Sequence, residues 1–305
     1  MFSLPAARAT FVLLISFSFP SLTHAAYTQL YSFGDSLSDT GNVFSLTGNP
    51  PSPYFDGNFS NGPIWTDLLG SQLGLGSPTA SLAGGTNYAW GGARTTAGLI
   101  PSTRTQVLTY LADVGGVADP SALYTIWTGG NDINAAVGGA AGSAVVTDAG
   151  SAVATIASDL LAAGAQHILI ANTPNVGITP SAAGNEAEAE ALSIAFNNSL
   201  AAGLTSLGST NITVLDSFSV LQSIVADPSA FGLTNVDDNC LATTGGLGSA
   251  CDGYLFWDSL HPTAAAHQLI ADAAFAAVVP VPAAAWLFIS ALSGLVVAKR
   301  KKLKA

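Results

Sequence analysis

The sequence predicts an α/β domain with a parallel central sheet and helices on both faces. Short runs of β-forming residues alternate with amphipathic helical patterns, which is typical of strand–helix–strand units. About 250 residues lie between two hydrophobic ends, enough for one domain that buries about 70–75% of its unfolded surface. In such a domain, a binding or catalytic site lies at the carboxyl ends of the strands. Residues that follow the predicted strands are therefore the first candidates for function.

Five short apolar runs are the predicted strands, and three periodic patterns are the predicted helices. Both periodicities follow from side-chain geometry, with a repeat of 2 in strands and 3.6 in helices. We expect strands at residues 28–33, 87–89, 123–127, 167–171 and 212–215. We expect helices over the apolar stripes of residues 153–161 and 192–207, and over residues 263–278. The segments 137–150 and 243–250 are rich in Ala, Gly and Ser, and are predicted to be loops.

Residues 1–26 have the composition of a secretory signal peptide. Arg8 supplies the positive charge, a short apolar segment follows, and small residues allow cleavage after Ala25 or Ala26. An uncleaved membrane anchor is the alternative, but the apolar run is short and Pro20 interrupts it. The favoured interpretation predicts an exported protein whose folded domain occupies residues 27–278.

Residues 279–305 combine a proline motif, an apolar helix and a basic tail. The prolines are Pro280 and Pro282, the apolar run covers residues 283–298, and four basic residues follow at 299–302. This order resembles the PEP-CTERM sorting signals of Gram-negative bacteria. The resemblance implies an exosortase-type sorting enzyme as partner, insertion of the helix into the membrane before processing, and delivery to the cell envelope or extracellular matrix. A plain C-terminal anchor is the alternative, since sixteen helical residues span about 24 Å.

The charge distribution argues against nucleic acid as a partner. Between the two ends, Arg94 and Arg104 are the only basic residues, against all 19 acidic ones, so this stretch has a formal charge of −17. Such a surface repels phosphate backbones.

The two cysteines, Cys240 and Cys251, are predicted to form a local disulfide in an oxidising compartment. Metal sites usually need more thiolate or histidine ligands at tighter spacing. The acidic pair Asp237-Asp238, with Asn239, is compatible with a calcium loop because hard cations prefer oxygen ligands. The spacing is not that of an EF-hand loop, and a solvated loop is the favoured interpretation.

Four polar clusters follow the predicted strands or lie near the end of the domain. They are Gly34-Asp35-Ser36-Leu37, Trp90-Gly91-Gly92-Ala93, Gly129-Gly130-Asn131-Asp132 and Asp258-Ser259-Leu260-His261. A serine hydroxyl becomes a nucleophile only when a neighbouring base takes its proton, and histidine suits that work near neutral pH. Ser36 is therefore a candidate nucleophile in need of a base.

His261 is the candidate base. His167 begins a predicted strand, at the wrong end of the sheet, and His267 falls inside the last predicted helix, where a structural role is favoured. His261 follows Asp258 by three residues, so that one turn delivers both the base and the carboxylate that orients it. Negative charge developing on a carbonyl oxygen requires hydrogen-bond donors. The Ser36 N–H, the backbone at Gly91-Gly92 and the Asn131 side chain are the candidates.

These clusters resemble the four signature blocks of the GDSL, or SGNH, hydrolase family over residues 28–278. Ser36 matches the family's nucleophile, Gly92 its block-two glycine with Gly91 as the alternative, Asn131 its asparagine, and Asp258 and His261 its last block. The resemblance implies a flavodoxin-like three-layer α/β/α fold, with Ser36, Asp258 and His261 catalytic and with Ser36, Gly92 and Asn131 forming an oxyanion hole. It also implies an esterase or lipase that needs no metal or organic cofactor.

Several functions remain compatible with these residues. Hydrolysis of a carboxylic ester with a lipid-like or simple acyl group is the favoured one. An O-deacetylase of exported polysaccharide and an acyltransferase use the same acyl-enzyme chemistry. A non-enzymatic matrix or surface protein is disfavoured, because Ser36, Asn131, Asp258 and His261 are all present.

Overall fold

A parallel four-stranded sheet forms the centre of the domain. The computed structural model describes residues 27–246 and 248–279, so the predicted signal peptide and nearly all of the predicted sorting signal lie outside the described residues. The strands neighbour each other in chain order. They are β1 (Leu30–Gly34), β2 (Leu123–Trp127), β3 (His167–Ala171) and β4 (Ile212–Leu215). All pairs are parallel and in register, with Gly34 beside Trp127 and Trp127 beside Ala171. The expected parallel α/β architecture is confirmed.

Helices cover both faces of this sheet. They are α1 (Asn42–Thr47), α2 (Trp65–Gln72), α3 (Thr103–Asp113), α4 (Gly130–Ala136), α5 (Gly142–Ala162), α6 (Glu186–Leu207), α7 (Ser217–Ala226), α8 (Cys240–Thr244) and α9 (Ala264–Val278). Two short strands, β5 (Asn235–Asn239) and β6 (Tyr254–Phe256), form a separate parallel pair.

Strand β2 shows how the two layers of helices obtain their cores. Its five residues are all buried, and alternate side chains point to opposite faces. Tyr124 and Ile126 join the core that α3, α5 and α6 cover. Leu123 and Trp127 join the core under α2, α7 and α9. Burial on both faces explains why this strand has a continuous apolar sequence.

The predicted strand at residues 87–89 forms only isolated bridges, one from Asn87 to Ser32 on β1 and one from Asn87 to Ala80. It lies on the expected edge, because the Tyr88 N–H donates to the Ser32 carbonyl at 2.8 Å. On its outer side, however, the Asn42 side-chain amide donates to the carbonyls of Asn87 and Ala89, both at 2.8 Å. The Asn87 carbonyl also accepts the Ser81 N–H at 2.7 Å, so this side pairs with backbone only at Asn87, and the Asn42 amide takes the Ala89 carbonyl.

Part of the predicted loop at residues 137–150 is instead the start of α5. The small residues that suggested a loop allow close packing of α5 on α6. A Cβ atom on Gly150 would lie 2.4 Å from the Phe196 carbonyl oxygen, so only glycine fits there. Helix α5 is long and apolar enough to cross a membrane by length and composition. Its apolar side is nevertheless buried in the core between α6 and the sheet.

The predicted loop at residues 243–250 also contains helical structure. Helix α8 covers its beginning, and a 3₁₀ turn, Gly248–Cys251, covers its end. The α8 N-terminus is capped by the Asn239 side chain, which accepts the Ala242 N–H at 2.7 Å. Composition alone missed both turns because their glycines lie at the ends of these elements.

Candidate active site

The candidate nucleophile lies on a tight turn immediately after β1. Gly34 ends the strand with φ +151°, and a Cβ atom there would lie 2.1 Å from the Trp127 carbonyl oxygen. The Gln106 side chain secures this strand end by accepting the Gly34 N–H and donating to its carbonyl, both at 2.8 Å. The Asp35 carboxylate accepts the Leu37 N–H at 3.0 Å and closes the turn. Ser36 is thereby presented at the carboxyl edge of the sheet.

The candidate base and its carboxylate lie on the turn between β6 and α9. Asp258 Oδ1 accepts the N–H groups of Leu260 at 2.8 Å and His261 at 2.7 Å, which fixes the turn. Its Oδ2 lies 2.7 Å from His261 Nδ1. On the other side of the ring, His261 Nε2 lies 2.8 Å from Ser36 Oγ. The structure thus brings the three predicted triad residues into one hydrogen-bonded chain.

The electrostatics of Asp258 match an ionised partner for the imidazole. Burial alone would raise the pKa of Asp258, but the hydrogen bonds and charge of His261 lower it to about 2. The carboxylate is therefore ionised at neutral pH. It holds the Nδ1 proton in place, which leaves Nε2 free to accept the Ser36 proton.

The second cluster is tied to the nucleophile turn through Asp39. The Asp39 carboxylate accepts the Gly91 N–H at 2.8 Å and the Gly41 N–H at the same distance. The Gly91 N–H is therefore engaged. The Gly92 N–H has no hydrogen-bond partner within residues 27–246 and 248–279. Gly92 has φ +79°. Its role as an oxyanion donor stays a prediction, now with a free N–H to support it.

The Asn131 side chain lies in the first turn of α4 and faces the same cleft as Ser36. Its Nδ2 donates to the Ala93 carbonyl at 2.9 Å, which fixes the orientation of the amide. One amide proton is used in this bond, and the second remains for a ligand. The third cluster is thus linked to the second, as an oxyanion hole built from several segments requires.

A cleft that opens to solvent lies beside Ser36. Ser36, Asn131 and His261 line it together. The remaining wall is largely apolar and is formed by Leu37, Trp127, Val176, Ile178, Leu221, Phe256 and Leu260. An apolar wall beside a nucleophile suits a hydrocarbon group of a substrate.

Two further titratable side chains, Asp35 and His267, interact electrostatically with His261. Burial raises the pKa of Asp35 to about 7, although the Leu37 N–H opposes the shift. Burial lowers the pKa of His267 to about 3, so this histidine is neutral. The Trp65 N–H donates to His267 Nδ1 at 3.3 Å. His267 is therefore buried on the inner side of α9, where the sequence favours a structural role. His167 is exposed at the first residue of β3, away from the cleft.

Sequence reasoning missed two aromatic residues that contact the triad. The Tyr54 hydroxyl donates to Asp258 Oδ2 at 2.7 Å. The Phe59 ring lies 5.2 Å from the His261 ring. Both belong to a proline-containing loop about 200 residues before His261, and no motif marks them.

The other predicted sites fall outside the cleft. Cys240 and Cys251 form a disulfide that lies in a buried cluster with Trp257. The Asp237-Asp238 pair lies on β5, where the Asp238 side chain accepts a hydrogen bond from Asn235. In the described part of the chain, no group of three or more His, Cys, Asp or Glu side chains is arranged to hold a metal ion.

Comparison with known proteins identifies the family. The family described as GDSL-like Lipase/Acylhydrolase matches residues 30–274. Lipase 1 of Photorhabdus luminescens is 35% identical over 173 residues, covering 55% of this chain and 25% of that lipase. Esterase EstA of Pseudomonas aeruginosa is 34% identical over 307 residues, covering 83% of this chain and 47% of EstA. The chain thus spans between a quarter and a half of the length of these relatives. Because the family match covers most of the chain and includes Ser36 and His261, the chain belongs to the GDSL-like lipase/acylhydrolase family.

Proposed function

We propose that this protein is a serine esterase that hydrolyses carboxylic esters through an acyl-enzyme on Ser36. The observation that carries the proposal is the chain from Ser36 Oγ through His261 to Asp258, with distances of 2.8 and 2.7 Å. It faces a largely apolar cleft. Membership in a family of lipases and acylhydrolases supports the same chemistry.

In the first step, His261 Nε2 takes the Ser36 proton while Ser36 Oγ attacks the ester carbonyl. The carbonyl π electrons move onto the oxygen, and the N–H groups of Ser36 and Gly92 and the Asn131 amide stabilise the resulting oxyanion. Collapse of this intermediate breaks the bond to the alcohol, which leaves with the proton from His261.

In the second step, water hydrolyses the ester on Ser36. His261 takes a proton from the water, and the hydroxide attacks the acyl carbonyl. The acid leaves, and Ser36 regains its proton from His261. Asp258 stays ionised throughout and stabilises the imidazolium that forms in each step.

The wall of the cleft favours an acyl group longer than acetyl. Val176, Ile178 and Leu221 add apolar surface to the wall of the cleft, and each CH₂ of a substrate buried against it contributes about 0.8 kcal/mol to binding. Because acetyl leaves most of this surface uncovered, a polysaccharide deacetylase would make little use of it.

A series of p-nitrophenyl esters from acetate to palmitate tests both parts of the proposal. The full-length chain in mild detergent should release p-nitrophenol, and its Ser36→Ala variant should not. We expect kcat/KM to rise from acetate to an intermediate chain length. Activity on acetate alone would favour the deacetylase, and turnover that survives Ser36→Ala would contradict the acyl-enzyme.

A substitution in the cleft sharpens this test. Ile178→Trp should reduce kcat/KM for the longer esters while leaving acetate hydrolysis within about twofold, since the larger ring fills the acyl space. Ile194→Trp is the matched control, because Ile194 is exposed on α6. Equal chain-length profiles for both variants would show that the acyl group binds elsewhere.

We further propose that the protein is exported to the cell envelope or extracellular matrix of a Gram-negative bacterium. Three features support this location: the signal-like and sorting-signal-like terminal segments, the acidic domain between them, and the disulfide. An exosortase-type enzyme would process the tail near Pro280 and Pro282. Protein isolated from envelope and medium should begin at Ala26 or Tyr27 and lack the basic tail by intact mass. Full-length protein in the cytoplasm would contradict export.

A further inference from the structure

Tyr54 contacts the Asp258 oxygen that also serves the candidate base. Its hydroxyl donates to Asp258 Oδ2 at 2.7 Å, and His261 Nδ1 lies 2.7 Å from the same oxygen. Burial, with the hydrogen bond to Asp258, raises the pKa of Tyr54 above its ordinary value. The phenol therefore stays protonated at every pH at which the protein would work, and it always acts as the donor.

With Tyr54 in place, each Asp258 oxygen has two partners. Oδ1 accepts the backbone N–H groups of Leu260 and His261, and Oδ2 accepts the imidazole and the phenol. The phenol is the one member of this set that comes from a distant part of the chain, 204 residues before Asp258. Without it, the carboxylate would be held only by groups of its own turn, at residues 260 and 261.

The loop that carries Tyr54 is fastened to the triad turn at two points. The Tyr54 ring packs edge-on against Trp257, with ring centroids 5.6 Å apart, and Trp257 immediately precedes Asp258. The buried Ser60 hydroxyl, further along the loop, donates to the Pro262 carbonyl at 2.8 Å. Because the Tyr54 ring is packed against Trp257, its hydroxyl is held in place and the hydrogen bond to Asp258 has little freedom to shift.

We propose that Tyr54 is a positioning residue that acts on the reaction through Asp258. It fixes the plane of the carboxylate, and it takes up part of the negative charge of Oδ2 that would otherwise act on His261. A carboxylate with one donor fewer attracts a positive imidazole more strongly, so protonation of the base at rest becomes easier. This inference rests on the proposed hydrolase function, because it assigns His261 the role of base.

Other charged groups also act on His261, and the test must leave them unchanged. Asp35, the residue before Ser36, and His267, on α9, both interact electrostatically with it. Asp132 lies beyond Asp35 and acts on that carboxyl. The substitution Tyr54→Phe removes one oxygen and alters none of these groups.

The test compares Tyr54→Phe with Tyr88→Phe in the full-length protein. Tyr88 is the matched control because its hydroxyl donates to Asp113 at 2.9 Å rather than to a triad residue. For Tyr54→Phe we expect kcat on the best p-nitrophenyl ester to fall about threefold to tenfold with little change in KM. We also expect the acid limb of the kcat/KM profile to move up by about half a pH unit. Tyr88→Phe should leave that limb in place.

The position of the acid limb decides the outcome. A loss of activity with the limb at its wild-type position would mean a purely structural role and would overturn the inference. Wild-type activity and an unmoved limb would overturn it as well.

A second readout requires no substrate and separates this inference from the proposed function. The His261 Nδ1 proton, held against Asp258, gives a far-downfield proton NMR resonance that His261→Ala should abolish. Tyr54→Phe should move this resonance and Tyr88→Phe should not. If the wild type lacks esterase activity while the resonance moves as expected, the proposed function fails and the Tyr54 contact stands. A resonance that Tyr54→Phe leaves unmoved would overturn the inference whatever the activity.

Discussion

His261 Nε2 lies 2.8 Å from Ser36 Oγ, although 225 residues separate the two in the chain. Ser36 follows the first strand of the sheet, and His261 lies on the turn before the last helix. They meet because the carboxyl ends of parallel strands share one edge, and because α9 packs back under the sheet. The contact therefore depends on the whole domain being folded.

Removal of either end of this contact should abolish turnover. Ser36→Ala and His261→Ala are each expected to lower kcat by at least about 10³-fold, because the two residues act as one unit. Steady-state kinetics and circular dichroism should show lost activity in a folded protein. His167→Ala is the matched control, since His167 is exposed at the opposite end of β3. Retained activity in His261→Ala would remove this histidine from the mechanism.

Loss of the Asn131 amide should affect the rate rather than the fold. We expect Asn131→Ala to lower kcat about 10²–10³-fold, the usual cost of one oxyanion donor. Asn198→Ala, at an exposed position of α6 outside the cleft, should change kcat little. A kcat near the wild-type value for Asn131→Ala would show that its amide does not stabilise the transition state.

The buried Asp35 carboxyl should lower stability as pH rises. Its pKa in the folded protein is about 7, above the unfolded value of 3.8, so the folded state binds its proton more tightly. Stability from this group is therefore full below about pH 4 and is lost as pH rises through 7. We expect Asp35→Asn to gain stability relative to wild type between pH 5 and 8, by a few kcal/mol at most.

The effect of Asp35 must be measured as the difference in unfolding free energy between Asp35→Asn and the wild type. His267, whose pKa of about 3 is below its unfolded value, contributes stability that is lost as pH falls from about 6.5 toward 3, so the two groups partly offset each other in the wild type. Urea unfolding of Asp35→Asn, wild type and the exposed control Asp148→Asn at pH 5 and 8 isolates Asp35. An equal difference at both pH values would contradict the account.

The Cys240–Cys251 bridge should stabilise the wall behind Tyr54 and Asp258. It closes a loop of sequence separation 11 and packs on Trp257. We expect the Cys240→Ser/Cys251→Ser double variant to lose about 2–3 kcal/mol of unfolding free energy. A reductant should destabilise the wild type and leave the variant unaffected. Free thiols titrating in the native exported protein would contradict the bridge.

The sequence predicts the sheet well because its core strands are short, continuous apolar runs. Strands β2, β3 and β4 have the expected bounds. It predicts poorly where a distant partner decides the outcome. Gly150 suggests a loop in the sequence, but in the structure it allows α5 to approach the Phe196 backbone on α6. At residues 87–89, the Asn42 side chain binds the Ala89 carbonyl, a contact that the sequence does not reveal.

The candidate triad was predictable because its residues occur in recognisable clusters after strands. Tyr54 was not, because its function depends on a contact across 204 residues. Nothing in the local pattern Ser52-Pro53-Tyr54 distinguishes a triad contact from a surface turn.

Covalent labelling of Ser36 tests the central claim most directly. Diethyl p-nitrophenyl phosphate should transfer one diethylphosphoryl group to Ser36 Oγ with release of one p-nitrophenol, and activity should fall in step with labelling. Peptide mass spectrometry should locate the label on the peptide that contains Ser36, and the Ser36→Ala variant should remain unlabelled. Labelling of another residue that tracks the loss of activity, or full activity in a protein labelled at Ser36, would contradict the account.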